Sequence, residues 1–200
     1  MQTDRMTRME RLFQVNTRAV DVPGQEAEEQ ELYVEGYAVR FDSPTVLFEY
    51  GGTEYKEQID RHAFDGALME DGIFNYNHGG KVLARTRNDT LWLTVDDTGV
   101  FVRARLDGTE EGRKLYEEIA GGYIDRMSFA FTVREEGYDE ENHLWTIYKV
   151  KRLYDVSAVD IPAYDDTSIA ARRAAVEDSQ RAHQAALALD KRKIALKCKL

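Results

Sequence analysis

The chain predicts an α+β fold, built as a mostly antiparallel β-barrel with short helices packed outside it and a helical tail at the C-terminus. Three observations carry this expectation. Stretches that alternate apolar and polar residues recur between Leu32 and Ile161, separated by Gly and Asp turns. Helical spacing appears only in two short windows among them. From Ala171 onward the sequence has no Gly, Pro or aromatic residue and is rich in Ala, Leu, Arg and Lys, a composition that favours helix.

The domain opens with a strand from Leu32 to Phe41. Tyr33, Glu35, Tyr37, Val39 and Phe41 alternate with Leu32, Val34, Gly36 and Ala38, so both of its faces read as largely covered. A short helix follows, with Asp60 as its cap and Ala63, Phe64, Ala67 and Leu68 on one side. Leu91–Val95 and Val100–Leu106 flank Asp96-Asp97-Thr98-Gly99 and read as a hairpin. In its second strand Val100, Val102, Ala104 and Leu106 face one way, and Arg103 and Arg105 the other. Asp107 followed by Glu110 predicts the cap of a second helix, in which Leu115 and Ile119 share a face. Arg113–Glu117 and Lys114–Glu118 are spaced to pair there, and Gly121-Gly122 ends the helix. Met127, Phe129, Phe131 and Val133 form one face of the next strand, opposite Ser128, Ala130 and Thr132. Leu144–Lys151 and Leu153–Ile161 read as two further strands.

Composition bounds the function. The 200 residues are 42% hydrophobic and 32% charged, which supports a packed core. The formal charge of −10 disfavours binding to phosphate backbones, so no nucleic-acid partner is expected. No apolar run has the length needed to span a bilayer, and no membrane partner is expected. The first residues lack a basic-then-apolar secretion signal, which predicts a reducing, intracellular setting. The single Cys198 precludes an internal disulfide and a thiolate metal cluster. Charge also marks the organisation. Residues 171–200 carry eight basic and three acidic side chains, a net +5 that leaves −15 on residues 1–170. The expected division is an N-terminal arm with a first strand (1–30), a globular domain (31–170) and a basic helical tail (171–200).

Candidate chemistry narrows by elimination. His62, His78, His143 and His183 do not pair at metal-ligand spacing, so no metal is expected. Gly51-Gly52, Gly79-Gly80 and Gly121-Gly122 are doublets that suit turns, not phosphate cradles, and no nucleotide or other cofactor is expected. Nucleophilic catalysis leaves three segments. In Phe74-Asn75-Tyr76-Asn77-His78-Gly79-Gly80 a histidine sits at the edge of a flexible turn. In Met127-Ser128-Phe129 a small hydroxyl lies opposite a row of large apolar side chains. In Leu153-Tyr154-Asp155-Val156-Ser157 an acid sits in an apolar strand, on the side of Leu153 and Val159. A carboxylate there needs a partner. Each segment also has an ordinary reading: His78 closing a turn, Ser128 a plain strand serine, and Asp155 paired with Lys149, Lys151 or Arg152.

Taken together, these segments resemble the prohead (capsid maturation) proteases of tailed bacteriophages, distant relatives of the herpesvirus protease assemblin. The resemblance runs from about Gly36 to Ala170. It rests on Gly36-Tyr37-Ala38-Val39-Arg40-Phe41, Glu57–Phe64, Asn77-His78-Gly79, Met127–Phe131, Asp155–Val159 and Ile161-Pro162-Ala163-Tyr164, in that order. It implies an assemblin-like barrel and a serine endopeptidase that processes the phage major capsid protein and its scaffold domain, and that cuts itself. The setting implied is the immature capsid in the host cytoplasm. By position Ser128 matches the nucleophile and His78 the general base. Asp155 stands where the phage family usually has Glu and assemblin a second His. The chain order His, Ser, acid and the absence of Gly-x-Ser-x-Gly set the sequence apart from the α/β-hydrolases. No cofactor is implied. Assemblin relatives act as dimers, which brings a homo-oligomer into view, although no segment here specifies an interface. A turn near Pro162–Tyr164 is the expected source of oxyanion donors. The tail reads either as a segment that targets the enzyme to scaffold or capsid protein or as a passive, solvated terminus. The alternative reading is a non-enzymatic internal scaffold or assembly protein on the same fold.

Overall fold

A computed structural model describes residues 9–13, 18–20, 31–160, 176–182, 185 and 187–188. Pro162–Tyr164, His183, Cys198 and most of the 171–200 tail, on which expectations were placed, lie outside the described residues. The chain divides into two compact units, Met1–Asp165 and Asp166–Leu200. In the second, residues 176–182 are helical and Arg181 lies 3.6 Å from Glu177 across one turn.

Among its described residues, the first unit is built from eleven strands and one α-helix. Seven strands form a mixed sheet: β1 (Met9–Phe13), β4 (Thr45–Tyr50), β5 (Thr53–Ile59), β6 (Ile73–Tyr76), β7 (Gly79–Arg85), β10 (Arg126–Asp139) and β11 (Leu144–Val159). Its main path runs β1-β10-β11-β5-β4, with β6 on β11 and β7 on β6. A second sheet has the order β2-β3-β9-β8, from β2 (Arg18–Val20), β3 (Tyr33–Arg40), β8 (Leu91–Val95) and β9 (Gly99–Arg105). Among the described residues no ladder joins the sheets, and a single isolated bridge links Phe41, just past β3, to Ile59 of β5, so the expected closed barrel is corrected to two sheets around a common core. The larger sheet is also mixed, because β11 runs parallel to both β5 and β6. Two features of the long β11 account for this. It is one 16-residue strand where two were expected, and its two halves receive different partners along the same edge.

The core lies between the sheets. Val34 and Ala38 of β3 and Val100, Val102 and Ala104 of β9 meet Met127, Phe129, Phe131 and Val133 of β10, with Phe74 and Val156 beside them, all buried. Phe129 stacks on Phe131 with ring centroids 4.6 Å apart. The alternation read from the sequence holds in β9, where Arg103 is exposed and its apolar neighbours are not. Asp96 shapes the hairpin as expected: its Oδ1 accepts from the Thr98 and Gly99 N–H groups at 2.7 and 3.0 Å.

The helices differ from expectation in detail. Residues 61–66 form turns and not a helix, although Asp60 Oδ1 does accept from the His62 N–H at 2.8 Å and Ala63 and Phe64 are buried. Gly66 sits at φ +75°, which stops a helix from continuing. The second helix, α1 (Glu110–Ala120), forms with Leu115 and Ile119 buried and Gly121 as its C-cap. Its N-cap is Thr109, whose Oγ1 accepts from the Gly112 N–H at 3.0 Å, and not Asp107. Asp107 turns instead toward Arg105, at 3.4 Å. Lys114 pairs backward with Glu110 at 2.6 Å, the partner nearer the positive helix end.

Candidate active site

Two adjacent strands and one hairpin bring the three candidate residues together. Ser128 stands on β10 directly across from Ser157 on β11, and Ser157 in turn stands beside Asn75 on β6. These polar side chains lie on the face of the sheet away from the common core, whereas their neighbours Met127, Phe129, Phe74 and Val156 point into it. Alternation within a strand thus separates chemistry from packing.

Asp155 reaches this face because of a β-bulge. The β10–β11 ladder pairs Ala130 with Asp155 but Phe131 with Leu153, so Tyr154 is the extra residue. Leu153 therefore sits with Phe131 in the core, and Asp155 sits with Ala130 and Ser128 on the other face. This corrects the expectation that Asp155 shares a side with Leu153; without the bulge, strict alternation would put them together.

His78 comes from the β6–β7 hairpin. Tyr76 pairs with Gly79 around a two-residue turn whose centre is Asn77 and His78, at φ +49° and +53°. Positive φ at both central positions is the type I′ turn, whose twist matches a hairpin. The β4–β5 hairpin builds the same kind of turn from Gly51-Gly52, at φ +60° and +79°. At Asn77-His78 the turn lies two residues before the Gly79-Gly80 doublet on which the sequence placed it. A histidine held there carries a steric cost on the order of 1 kcal/mol. Three hydrogen bonds offset it: His78 N–H donates to Ser157 Oγ at 3.2 Å, Asn77 N–H to the Ala158 carbonyl at 3.0 Å, and Asp160 N–H to Asn77 Oδ1 at 3.4 Å. The Tyr76 hydroxyl donates to Asp160 Oδ2 at 2.8 Å, and that hydrogen bond pushes the phenol above its ordinary range, which keeps its proton in place.

The ring of His78 is bonded at both edges. Nδ1 lies 2.6 Å from Asp155 Oδ1, and Nε2 lies 2.6 Å from Ser128 Oγ. An ionised carboxylate only accepts, so the contact at Nδ1 requires the ring proton there. Nε2 is then left as an acceptor, and the Ser128 hydroxyl donates to it. Ser157 backs the pair. Its Oγ lies 3.1 Å from Asp155 Oδ1 and 3.2 Å from His78 Nδ1, and its proton is shared between Asp155 Oδ1 and the close Asn75 Oδ1. Ser128 is 0% exposed, Asp155 1% and Asn75 5%. A carboxylate this deeply buried costs several kcal/mol unless it is paired and hydrogen-bonded, and His78 and Ser157 meet that need. Of the ordinary partners considered for Asp155, Lys149 instead donates to the His62 carbonyl at 2.8 Å. Sequence reasoning misses Ser157 and Asn75. The signal available is a second polar residue two positions beyond Asp155 in an apolar strand.

Among the described residues no three His, Cys, Asp or Glu side chains gather as a metal site. His62 lies 3.3 Å from Asp65, and His143 lies 3.2 Å from the Tyr138 hydroxyl, both away from His78. No described helix is long and apolar enough to cross a membrane. A cavity of about 540 Å³ opens beside the hairpin, between β7 and α1, with Asn77, Gly79, Leu83 and Leu115 in its lining.

Comparison with known proteins gives a family and, separately, a distant structural likeness. No curated protein sequence matches the chain. A solved structure of the capsid assembly protease of bacteriophage T4 covers 73% of this chain and 97% of its own, at 15% identity and a TM-score of 0.45. The family model for the caudovirus prohead serine protease matches residues 15–182, a span that contains His78, Ser128, Asp155 and the strands that hold them. The chain belongs to the caudovirus prohead serine protease family.

Proposed function

We propose that this protein is a serine endopeptidase of capsid maturation in which Ser128 is the nucleophile, His78 the general base and Asp155 the positioning carboxylate. The observation that carries the reading is a single imidazole contacted at 2.6 Å on both edges, by a hydroxyl on one side and a carboxylate on the other. In the first step the Ser128 proton passes to His78 Nε2 as Oγ bonds to the scissile carbonyl carbon. His78 then gives that proton to the leaving amine as the C–N bond breaks, which leaves an acyl ester on Ser128. A water molecule attacks the ester, its proton passes through His78 to Ser128 Oγ, and the free enzyme returns. Asp155 holds the ring in the tautomer this requires and stabilises the imidazolium that forms.

The substrates we assign are the phage major capsid protein and its scaffold domain inside the immature capsid, together with this chain itself. The 171–200 tail supplies the targeting contact. The cavity next to the hairpin begins one residue to either side of His78, at Asn77 and Gly79, and combines Leu83 with Lys81, Glu111, Lys114 and Glu118, so it suits a substrate segment carrying both apolar and charged side chains. Co-expression with the capsid protein, read by mass spectrometry beside Ser128→Ala, tests the assignment. New termini on the capsid protein and on this chain are expected for the wild type and not for the variant. Identical termini in both, or intact proteins in both, would refute it.

A further inference from the structure

The strand that carries Ser128 has its outer edge occupied by the chain's own N-terminal arm. β1 pairs antiparallel with β10 from Met9↔Phe131 to Phe13↔Met127, and Leu12 stands directly across from Ser128. Among the described residues β1 pairs with no other strand. Ser128 is 0% exposed and the His78 side chain 5%. Attack needs a carbonyl carbon within about 3 Å of the hydroxyl, and a hydroxyl with no exposure offers no such approach. The family match begins at residue 15, so β1 precedes the matched region.

We infer that residues 9–13 are a built-in blocking strand, which holds the site closed until it leaves the β10 edge. The inference rests on Ser128 being the nucleophile. A blocker on the same chain acts at a fixed effective concentration, set by its tether and independent of dilution. It raises the apparent KM by the closed-to-open ratio and leaves kcat unchanged. One short ladder at a sheet edge is a low-stability element, open to displacement. A substrate chain present in excess, as within a closed shell, competes it away; the same substrate when dilute does not. The device keeps the protease quiet until it is confined with its substrate.

The test keeps the full chain and loosens the arm. Successive N–H groups of a strand point to opposite edges, so the paired substitution Arg11→Pro/Leu12→Pro removes one that faces β10. Labelling of Ser128 by a fluorophosphonate should accelerate at least tenfold, and cleavage of a capsid-protein peptide should show an apparent KM at least tenfold lower at the same kcat. A second variant covers failure of the first to fold. Glu10→Cys/Ala130→Cys, with Cys198→Ser, joins a registered pair of the ladder. Its oxidised form should label at least tenfold more slowly than its reduced form. Equal, Ser128-dependent rates for wild type and proline variant, or for the oxidised and reduced forms, overturn the blocking strand and leave the nucleophile in place. Absence of Ser128-dependent labelling in every variant overturns the nucleophile, and the blocking strand with it.

Discussion

Asp155→Asn tests the acid in isolation, because it removes one charge at almost constant volume. In the parent the carboxylate is buried and 2.6 Å from His78 Nδ1. When the ring takes the Ser128 proton, a positive charge develops beside it. Two unit charges about 4 Å apart, at the effective dielectric of about 20 that fits protein sites, attract by about 4 kcal/mol. Loss of that attraction in the transition state lowers the rate by about three powers of ten. The amide adds a second fault. Turned to present its NH₂ to Nδ1, it moves the ring proton to Nε2, where it faces the Ser128 hydroxyl as a competing donor. Stability should move in a different direction. Because the resting imidazole is neutral, replacing the buried charge by an isosteric amide removes a desolvation cost together with a charge-assisted hydrogen bond, so the folding free energy should stay within about 1–2 kcal/mol. The assay is the second-order rate of fluorophosphonate labelling beside urea denaturation of the same sample. A folded Asp155→Asn variant that labels within threefold of the parent would falsify the role given to Asp155.

Three further outcomes follow from the packing. Ser157→Ala removes the acceptor for the His78 N–H and a donor shared by Asp155, at about 1 kcal/mol for each hydrogen bond; labelling should slow by about five- to thirtyfold, and an unchanged rate would show that Ser157 does not position the pair. Phe129→Ala empties a fully buried site against Phe131 and Phe64, and should cost about 3–5 kcal/mol in urea unfolding; a loss below about 1 kcal/mol would contradict the core described. Gly99→Ala places a Cβ 1.9 Å from the Val39 carbonyl oxygen, backbone against backbone where β9 meets β3, and should cost about 1–3 kcal/mol or prevent folding; a neutral outcome would mean that the two strands do not approach so closely.

Much of this arrangement is legible before folding, and the exceptions share a cause. The inward rows of β9 and β10 follow from period-two alternation, because each strand turns one face to a single core. Which residues share the other face does not follow from alternation at Asp155, because a bulge at Tyr154 resets the count, and a bulge depends on the partner strand. The His78 turn is displaced from its glycine doublet for a similar reason: the register with β11 and the tether to Ser157 fix where the hairpin reverses, against local preference. Barrel closure depends on long-range edge pairing, on which local patterns are silent. The candidate triad emerges from the sequence through its likeness to a family, since His78, Ser128 and Asp155 each have an ordinary reading alone. Ser157 and Asn75 stay hidden because their role exists only across three strands that meet in space.

The proposed catalysis depends on one hydroxyl being activated by one imidazole. Fluorophosphonate treatment carried to completion, with peptide mapping of the folded wild type and of His78→Ala, measures that dependence directly. An adduct on Ser128 is expected in the wild type and little or none in the variant. An adduct on another serine such as Ser157, or equal modification of Ser128 with and without the imidazole, would contradict it.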